Sequence, residues 1–412
     1  MSRVVDAIAP PRLGRPFRWL LGSSWISNLG DGIGLAAGPL LVASETRDPF
    51  LVALAVVLQR VPWLLFGLLA GVFADRFDRR RIVVSVHAAR AVVLTLIAAT
   101  IALDRVDIVV VLAAMFLLGT AEAFADTTTS TLLPMVVEKP DLGIGNARIM
   151  TGFVTVNQLA GPPIGAAMFA SAKIAPFLAE AVFMLVSALF ASRIVLPPHG
   201  RVKEERTRVL REIAEGWRWL WNNPAVRTLA ITIVTFNVTF GAAWSVLVLY
   251  AIERLDAGEV GFGLLTTATA LGGVAATGLY GRLAARVSLG NLMRAGLIIE
   301  TATHLALALT TTTWVALVIM FAFGAHAFVW GTTSTSIRQR AVPASLQGRV
   351  SSVYLIGVQG GLVVGSGLGA VIAGAWGVTA PFWFAFVGSA LLVVLIWRQL
   401  THIAHEDEAA AA

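Results

Sequence analysis

This sequence of 412 residues contains no cysteine, and only 13% of its residues are charged. Without cysteine the chain forms neither a disulfide framework nor a thiolate-based metal or redox site. Soluble domains carry about a quarter charged residues, so the low charge content excludes an ordinary soluble fold. The sequence also lacks the nucleotide-binding motif G-x-x-x-x-G-K-S/T and any histidine and carboxylate pattern with metal-ligand spacing. We therefore expect no direct use of ATP, no metal and no enzyme activity.

Apolar residues, in contrast, make up 57% of the chain. They form twelve segments of about twenty residues or more, the length that a helix needs to cross a bilayer. The segments lie near 17–44, 50–73, 82–103, 107–135, 146–172, 176–196, 226–252, 260–286, 290–311, 314–337, 346–375 and 378–398. We predict an all-α integral membrane protein with twelve transmembrane helices in two six-helix bundles. The predicted divisions are a first bundle over 1–196, a cytoplasmic amphipathic linker over 197–225 and a second bundle over 226–412.

The basic residues are distributed unevenly between the two sets of loops. A net charge of +7 would suit a nucleic-acid partner, but its placement indicates another cause. With the N-terminus inside, 25 of the 31 lysines and arginines fall in the inner segments and four in the outer ones. Cytoplasmic loops of membrane proteins carry such an excess. We predict a multi-pass protein of the bacterial cytoplasmic (inner) membrane with both termini cytoplasmic. Its partner would be the lipid bilayer and no nucleic acid, and we expect no cleavable signal peptide.

Between the two halves, the stretch 201–227 mixes charged residues with apolar residues at helical spacing. The apolar positions are Val209, Leu210, Ile213, Trp217, Leu220 and Trp221. This pattern predicts an amphipathic helix that lies in the inner membrane interface. A calmodulin-type target helix is the alternative interpretation.

The two halves also share a repeated segment. Ala121–Thr131 reads AEAFADTTTST and Ala325–Thr335 reads AHAFVWGTTST, with seven of eleven positions identical at an offset of 204 residues. Such a repeat predicts two pseudo-symmetric bundles related by an axis along the membrane normal. A chance match between two segments rich in alanine and threonine is the alternative.

One short loop carries a family signature. Gly71–Arg81 reads GVFADRFDRRR and lies between two apolar segments. It resembles the loop-2–3 signature of the major facilitator superfamily, with matches at Gly71, Asp75, Arg76, Arg79, Arg80 and Arg81. A basic loop that only sets the topology is the alternative. Further stretches over 17–33, 58–81, 126–148 and 215–227 resemble the drug and siderophore exporters of this superfamily, which include macrolide-efflux and enterobactin-exporter proteins.

The resemblance implies a transport function. Gly161-Pro162-Pro163-Ile164-Gly165 is similar to the antiporter signature of the superfamily, from which the chain departs at Ala166 and Asn157. The implied function is export of a hydrophobic or amphipathic small molecule by proton antiport with alternating access. The transporter would act as a monomer, with protons as the second partner and the proton gradient in place of any cofactor. An importer or uniporter of the same fold is the first alternative, and a non-transporting membrane sensor or scaffold is the second.

Four of the ionisable residues inside predicted membrane helices are taken as candidate sites, because each charge there costs several kcal/mol. They are Asp31, Arg60, Glu122 and His326. Asp31 and Arg60 lie at similar depth on helices one and two and could form an ion pair, which would be either functional or purely structural. Glu122 and His326 are equivalent under the internal repeat, and both residue types can titrate in a cavity. A histidine bonded only to neighbouring backbone is the alternative for His326.

The remaining candidates fall into groups by expected role. As residues for substrate or protons we take Asp31, Arg60, Glu122, His326, Asn157, Asn237, Gln359 and Trp244. As the gating latch the resemblance implies Gly71, Asp75, Arg76, Arg79, Asp126, Gly161 and Pro162, with Asp126 accepting from Arg76 or Arg79. A structural role is expected for Arg90, Glu180, Glu300 and His304. An aromatic wall is expected from Trp25, Phe236, Phe240, Trp244 and Trp330, although rings at helical spacing are often plain packing.

The latch gives the first testable prediction. In an outward-open state we expect Asp75 at the start of helix eleven, near Ser345–Gln347, where unpaired backbone N–H groups favour an anion. Asp75→Asn should therefore weaken cytoplasmic closure and lower the transport rate while the expression level stays unchanged. The measurement is transport normalised to membrane content, and an undiminished rate would contradict the prediction.

Overall fold

A computed structural model describes residues 10–196, 209–343 and 346–399, and every regular element in these ranges is helical. The side chains of Leu68, Val72, Asp75, Val209 and Leu210 lie outside this description, as does Ser345. The first six membrane helices are α1 Gly14–Glu45, α2 Pro49–Arg76, α3 Arg79–Ala102, α4 Ile108–Val136, α5 over 142–171 and α6 Ala175–Ser192. A linker helix follows at Val209–Asn222. The last six are α7 over 224–254, α8 Gly258–Arg286, α9 Leu289–Leu309, α10 Thr313–Ala341, α11 Gln347–Trp376 and α12 Ala380–Ile396.

Short polar loops set the starts of these helices. The Asp48, Asp78 and Asp107 side chains each accept a hydrogen bond from a backbone N–H of the first turn that follows. These N-caps satisfy donors that the helix itself leaves unpaired. The loops between α1, α2, α3 and α4 are short and cover residues 46–48, 77–78 and 103–107.

The length and composition of the helices fit a membrane protein. Among the described residues, ten helices are long and apolar enough to cross a membrane: α1 to α4 and α6 to α11. The helix α12 is a shorter apolar helix, and α5 is interrupted. The predicted fold class, with twelve membrane helices and a linker helix, is confirmed.

The interruption in α5 has a local cause. The segment is α-helical over Leu142–Gly152, widens to a π-helix over Phe153–Ala160 and is α-helical again over Gly161–Ser171. The backbone N–H of Gly161 donates to the carbonyl of Val156, five residues back. Pro162 and Pro163 carry no N–H, so the ordinary four-residue hydrogen bonds cannot form there. The Gly-Pro-Pro sequence therefore places the wide turn in the middle of α5.

By packing, the chain separates into two compact units. The first comprises residues up to Arg201 together with Ala257–Thr267, and the second comprises Val202–Asp256 and the chain from Ala268. In the first unit, α1 packs against α5 and α6, α3 against α4 and α6, and α2 against α4. In the second unit, α7 packs against α11 and α12, and α9 against α10 and α12. The predicted linker over 197–225 includes residues 197–208, which lie outside the described ranges, so its first boundary at 196 stays a prediction.

The linker helix belongs to the second unit, where it packs on α11 and α7. Leu220 is buried beside Val350 and Val353, and Glu215 forms an ion pair with Arg349, with 2.9 Å between Oε2 and Nη1. Trp217 and Trp221 are exposed instead and stack on each other with centroids 5.5 Å apart. The predicted amphipathic helix therefore buries leucine against its own bundle and leaves two tryptophans on its outer face.

Two glycines let α8 and α10 approach backbone to backbone in the second unit. A Cβ atom at Gly324 would overlap the carbonyl oxygen of Thr269, and one at Gly272 would overlap that of Phe321. Small residues at such crossings give membrane helices the close packing that drives their association.

This crossing gives the second prediction. Gly324→Val should force α8 and α10 apart and lower the free energy of unfolding by about 1–3 kcal/mol or more, as overpacking does. Gly331→Val is the matched control, because Gly331 lies on the same helix with no atom within 4 Å of its Cβ position. Thermal unfolding in detergent measures the difference, and equal melting temperatures for the two variants would contradict the prediction.

Candidate functional site

The first unit contains a buried ion-pair cluster centred on Arg90. The Arg90 side chain on α3 is only 3% exposed, and its Nη2 bonds to Oδ1 of Asp31 on α1. The same Nη2 lies 3.6 Å from Oε1 of Glu180 on α6. One guanidinium therefore joins carboxylates from two other helices, a geometry that suits its fork of donors.

Small residues on α1 make room for this cluster. A Cβ atom at Gly34 would lie 2.7 Å from Oε2 of Glu180, and one at Gly30 would lie 2.8 Å from the methyl group of Met184. The Glu180 carboxylate therefore rests against the α1 backbone, next to the turn that carries Asp31. About two turns towards the start of α1, Ser23 exchanges hydrogen bonds with Ser187 of α6, which fixes the two helices in register.

Further charges surround this cluster. Glu122 on α4 is half-buried and interacts electrostatically with Asp31, Arg90 and Arg60. Arg60 on α2 interacts with Glu122 in turn. Asp126, one helical turn beyond Glu122, is exposed. Counting Asp31, Glu122, Asp126 and Glu180 against Arg60 and Arg90, this part of the unit holds two more carboxylates than guanidiniums.

The ion pair expected from the sequence is not the one that forms here. Asp31 pairs with Arg90 rather than with Arg60, because α3 rather than α2 turns its cation towards this face of α1. The sequence placed Asp31 and Arg60 at matching depth, but depth alone does not specify which face of a helix a side chain occupies. Arg60 is instead an electrostatic neighbour of Glu122.

The second unit holds a different buried cluster, centred on a carboxylate. Oε1 of Glu300 on α9 lies 2.8 Å from Nε2 of His304, and Oε2 lies 3.0 Å from Nε2 of His326 on α10. All three side chains are at least nine-tenths buried. The sequence predicted His326 as a titrating residue, and the structure adds Glu300 and His304 as its partners.

Aromatic rings from α7 and α10 form a continuous stack beside this cluster. Phe236 is parallel to Trp330 at 6.2 Å and to Phe240 at 5.9 Å, and Phe240 contacts Trp244 at 4.4 Å and Phe323 at 5.6 Å. The stack contains four of the five predicted aromatic residues and adds Phe323. Flat rings at these spacings present a surface for planar apolar groups.

Trp25, the fifth ring of the predicted wall, has another role. It belongs to the first unit, where its indole N–H donates to the backbone carbonyl of Arg148 at 3.0 Å. The ring lies against Gly152, where a Cβ atom would overlap it. Trp25 therefore packs α1 against the start of α5.

The predicted amide residues occupy helix contacts. Asn157 is buried in the π-helical turn of α5, where its Oδ1 accepts from Gln158 and its backbone lies against Gly32. Asn237 on α7 is buried and donates to the carbonyl of Ile233. Gln359 on α11 is half-buried. Both asparagines thus bond within their own helix, while their role in substrate binding remains a prediction.

Four predicted latch residues lie in or near the α2–α3 turn, whereas Asp126 is on α4 and Gly161 and Pro162 are on α5. Arg76 is exposed in the last turn of α2, and Arg79 donates to the carbonyl of Ala74 at 2.9 Å. No atom lies within 4 Å of the Cβ position of Gly71. The side chain of Asp75 lies outside the described part of the chain, and so does Ser345, next to which Asp75 was expected to bind. The latch therefore stays a prediction.

The structure gives Arg90 and Glu300 the same place in the two halves, since each is the twelfth residue of its helix, α3 or α9. The predicted segments began at 82 and 290 and did not show this match. One signal for the second cluster was present in the sequence. The spacing of four residues between Glu300 and His304 puts both on one helix face. The structural role expected for Arg90, Glu180, Glu300 and His304 did not indicate that these side chains would meet in two buried clusters.

Comparison with known proteins agrees with this architecture. Residues 6–412 match the model of the transmembrane secretion effectors, a family of the major facilitator superfamily. The chain belongs to this family. Its family and fold are those of the transporters of this superfamily, which are not enzymes. The resemblance noted in the sequence is thereby confirmed.

Two relatives and one solved structure illustrate the similarity. The chain is 26% identical to the multidrug efflux pump Tap of Mycolicibacterium fortuitum, over 92% of this chain and 94% of that protein. It is 24% identical to the enterobactin exporter EntS of Shigella boydii serotype 4, over 92% of each chain. The fold matches that of a bacterial homologue of the iron transporter ferroportin with a TM-score of 0.74 at 14% identity, over 94% of this chain and 98% of that one. By name, both relatives are efflux transporters of this superfamily.

The Arg90 cluster gives the third prediction. Arg90→Met should leave Asp31 and Glu180 as buried carboxylates without their cation, at a cost of about 3–5 kcal/mol in unfolding free energy. The triple variant Arg90→Met/Asp31→Asn/Glu180→Gln should recover most of this loss, because the uncompensated charges are gone.

Lys173→Met serves as the control, since it breaks the more exposed Lys173–Glu45 pair, which spans 3.1 Å. Pairs at exposed positions contribute about 0–1 kcal/mol. Thermal unfolding of the purified variants in detergent gives the comparison. Equal losses for Arg90→Met and Lys173→Met would show that the buried cluster does not stabilise the first unit.

Proposed function

We propose that this protein is a secondary active transporter that exports a hydrophobic or amphipathic small molecule by proton antiport. It would act in the bacterial cytoplasmic membrane with both termini in the cytoplasm, as a monomer and without a cofactor. Its two halves would rock about a central site, exposing it to one side of the membrane at a time. Export is favoured because the relatives Tap and EntS are named as an efflux pump and an exporter.

The observation that carries the proton-coupling part is the excess of carboxylates over guanidiniums around Arg90. Buried charge is tolerated only where it is paired or neutralised, and Arg90 cannot give up its proton. Proton binding by a carboxylate is therefore the reaction that restores charge balance in this cluster. Glu122 is the best candidate, because it is only half-buried and forms none of the close ion pairs described for Asp31.

The aromatic stack in the second unit supports the proposed substrate class. Phe236, Phe240 and Trp244 lie on α7 and are partly accessible, and their faces favour planar apolar groups. An importer of the same fold would use similar surfaces, so direction has to be measured. We expect expression in an efflux-deficient host to raise tolerance to one or more members of a panel of antibiotics, planar aromatic dyes and enterobactin. Increased cellular accumulation of the compounds would indicate import instead.

The coupling assignment gives the fourth prediction. In everted membrane vesicles with an imposed pH gradient of one unit, Glu122→Gln should lower the uphill accumulation of the compound that the panel identifies by about tenfold or more, because one coupled proton is lost. Downhill exchange of the same compound should persist, because the amide keeps the size and polarity of the side chain but does not release a proton.

Glu138→Gln, just after the end of the same helix, is the matched control and should keep uphill transport. Quenching of a pH-sensitive dye in the vesicles reports the accompanying proton flux. Full uphill transport by Glu122→Gln would place the coupling carboxylate elsewhere, with Asp31 the next candidate. Wild-type transport that ignores the pH gradient would reject proton antiport itself.

A further inference from the structure

The Glu300 cluster differs from the Arg90 cluster in the source of its positive charge. Among the described contacts of Glu300, both carboxylate oxygens face imidazole nitrogens and neither faces lysine or arginine. Around them lie aromatic rings: Trp244 is 6.1 Å from the ring of His304, and Phe323 is 5.5 Å from that of His326. An ionised Glu300 in these surroundings needs a positive partner.

The helices packed against α9 offer no permanent cation at this depth. The α12 helix has no ionisable residue over Ala380–Ile396. On α7, Tyr250 donates to the carbonyl of Leu307, and Arg254 donates to carbonyls at the C-terminal end of α9. Both α7 groups thus lie two or more turns beyond Glu300, towards the end of its helix.

The same holds for α9 itself and for α10. Arg294 lies six residues before Glu300 and donates to the backbone carbonyl of Trp397 at 3.0 Å. On α10, Arg338 and Arg340 are in the last turn, about three turns from His326, and Arg338 stacks over Tyr354. Within the described residues, only a proton on an imidazole or on Glu300 itself can therefore neutralise this carboxylate.

The contact distances favour a proton rather than a metal ion between these groups. The Nε2 atoms of His304 and His326 are 2.8 and 3.0 Å from the carboxylate oxygens, which are hydrogen-bond distances that leave no space for a cation. No group of three metal-binding side chains with suitable geometry occurs among the described residues. One proton makes the cluster electrically neutral, and its departure leaves a buried anion.

We propose that the Glu300–His304–His326 cluster is a second proton-binding site, which carries one exchangeable proton through the transport cycle. The inference rests on the proposed proton antiport and adds a coupling site in the second unit. The Nδ1 atoms of both histidines are buried without a hydrogen-bond partner among the described residues. When water reaches one of them, the proton passes from imidazolium Nδ1 to that water and leaves a neutral imidazole beside the Glu300 carboxylate. Loading reverses this step.

The test measures proton binding without needing a substrate. The full chain, with its six histidines labelled with nitrogen-15, is incorporated into lipid nanodiscs and followed by NMR from pH 5 to pH 9. Single His304→Gln and His326→Gln variants assign the two signals. We expect the cluster to exchange one proton in this range, with the two imidazoles affecting each other, and Glu300→Gln to abolish that coupling. His87→Gln, which removes a buried histidine of α3, is the control and should leave the cluster signals unchanged.

A transport measurement links the site to coupling. At a pH gradient of one unit each coupled proton contributes about a tenfold concentration ratio. Glu300→Gln should therefore lower the maximal uphill accumulation of the panel compound about tenfold while downhill exchange persists. If Glu300→Gln fails to fold, the triple variant Glu300→Gln/His304→Gln/His326→Gln makes the same test, because it removes every group of the cluster that can bind the proton.

The outcomes separate the two proposals. Imidazoles that keep one charge state from pH 5 to pH 9, or that titrate identically in Glu300→Gln, would overturn the proton site even if wild-type export is driven by protons. Unchanged accumulation by a folded Glu300→Gln variant would overturn its part in coupling. A wild-type protein that binds the proton but ignores the pH gradient would reject proton antiport and, with it, the coupling role of this site.

Discussion

The cost of a charge at membrane depth is the constraint on which the interior of this protein depends. Each ionised side chain there must be paired or neutralised, because the hydrocarbon region supplies no water to solvate it. Asp31, Arg90 and Glu180 meet this requirement together across three helices. The helix contacts follow from it, since Gly34 must be bare for the Glu180 carboxylate to lie against α1. Helix packing and charge pairing thus depend on each other in this unit, because the small residues of α1 permit both the close helix contact and the approach of the Glu180 carboxylate.

Both halves contain a buried charged residue that needs partners, but the central charge is positive in the first half and negative in the second. The twelfth residue of α3 is a guanidinium among carboxylates, whereas the twelfth residue of α9 is a carboxylate between imidazoles. The guanidinium is permanently charged, so only its acidic neighbours can change charge. Around Glu300 the positive charge is itself a proton. The third helix of each half therefore carries a buried charge at the same distance from its start, but the group that can titrate differs between the halves.

Much of this fold could be predicted from the sequence, because apolar length and loop charge are one-dimensional signals. The apolar segment at 313–341 was expected at 314–337, and the linker helix was expected from apolar residues at helical spacing between charged ones. The partner of Asp31 could not be predicted in this way. Depth follows from counting residues, but the face that Arg60 or Arg90 presents depends on helix rotation, which is set by packing at positions such as Gly30 and Gly34. The π-helical turn before Pro162 changes the rotation of the rest of α5. Counting residues at 3.6 per turn does not predict this change.

Buried, paired charges surrounded by partly exposed side chains suit a protein that must change conformation without losing its ion pairs. Arg90, Glu180, Glu300 and His304 are buried on helices that pack within their own unit, so a movement of whole units would not break their pairs. Glu122 and the aromatic side chains of α7 are only partly buried and have fewer fixed partners. A change in hydration therefore affects Glu122 and the aromatic side chains of α7 first. The buried charged residues determine how much charge in each unit has to be neutralised. Separating the group that titrates from the group that fixes the geometry allows protonation to change the charge of a unit without unfolding it.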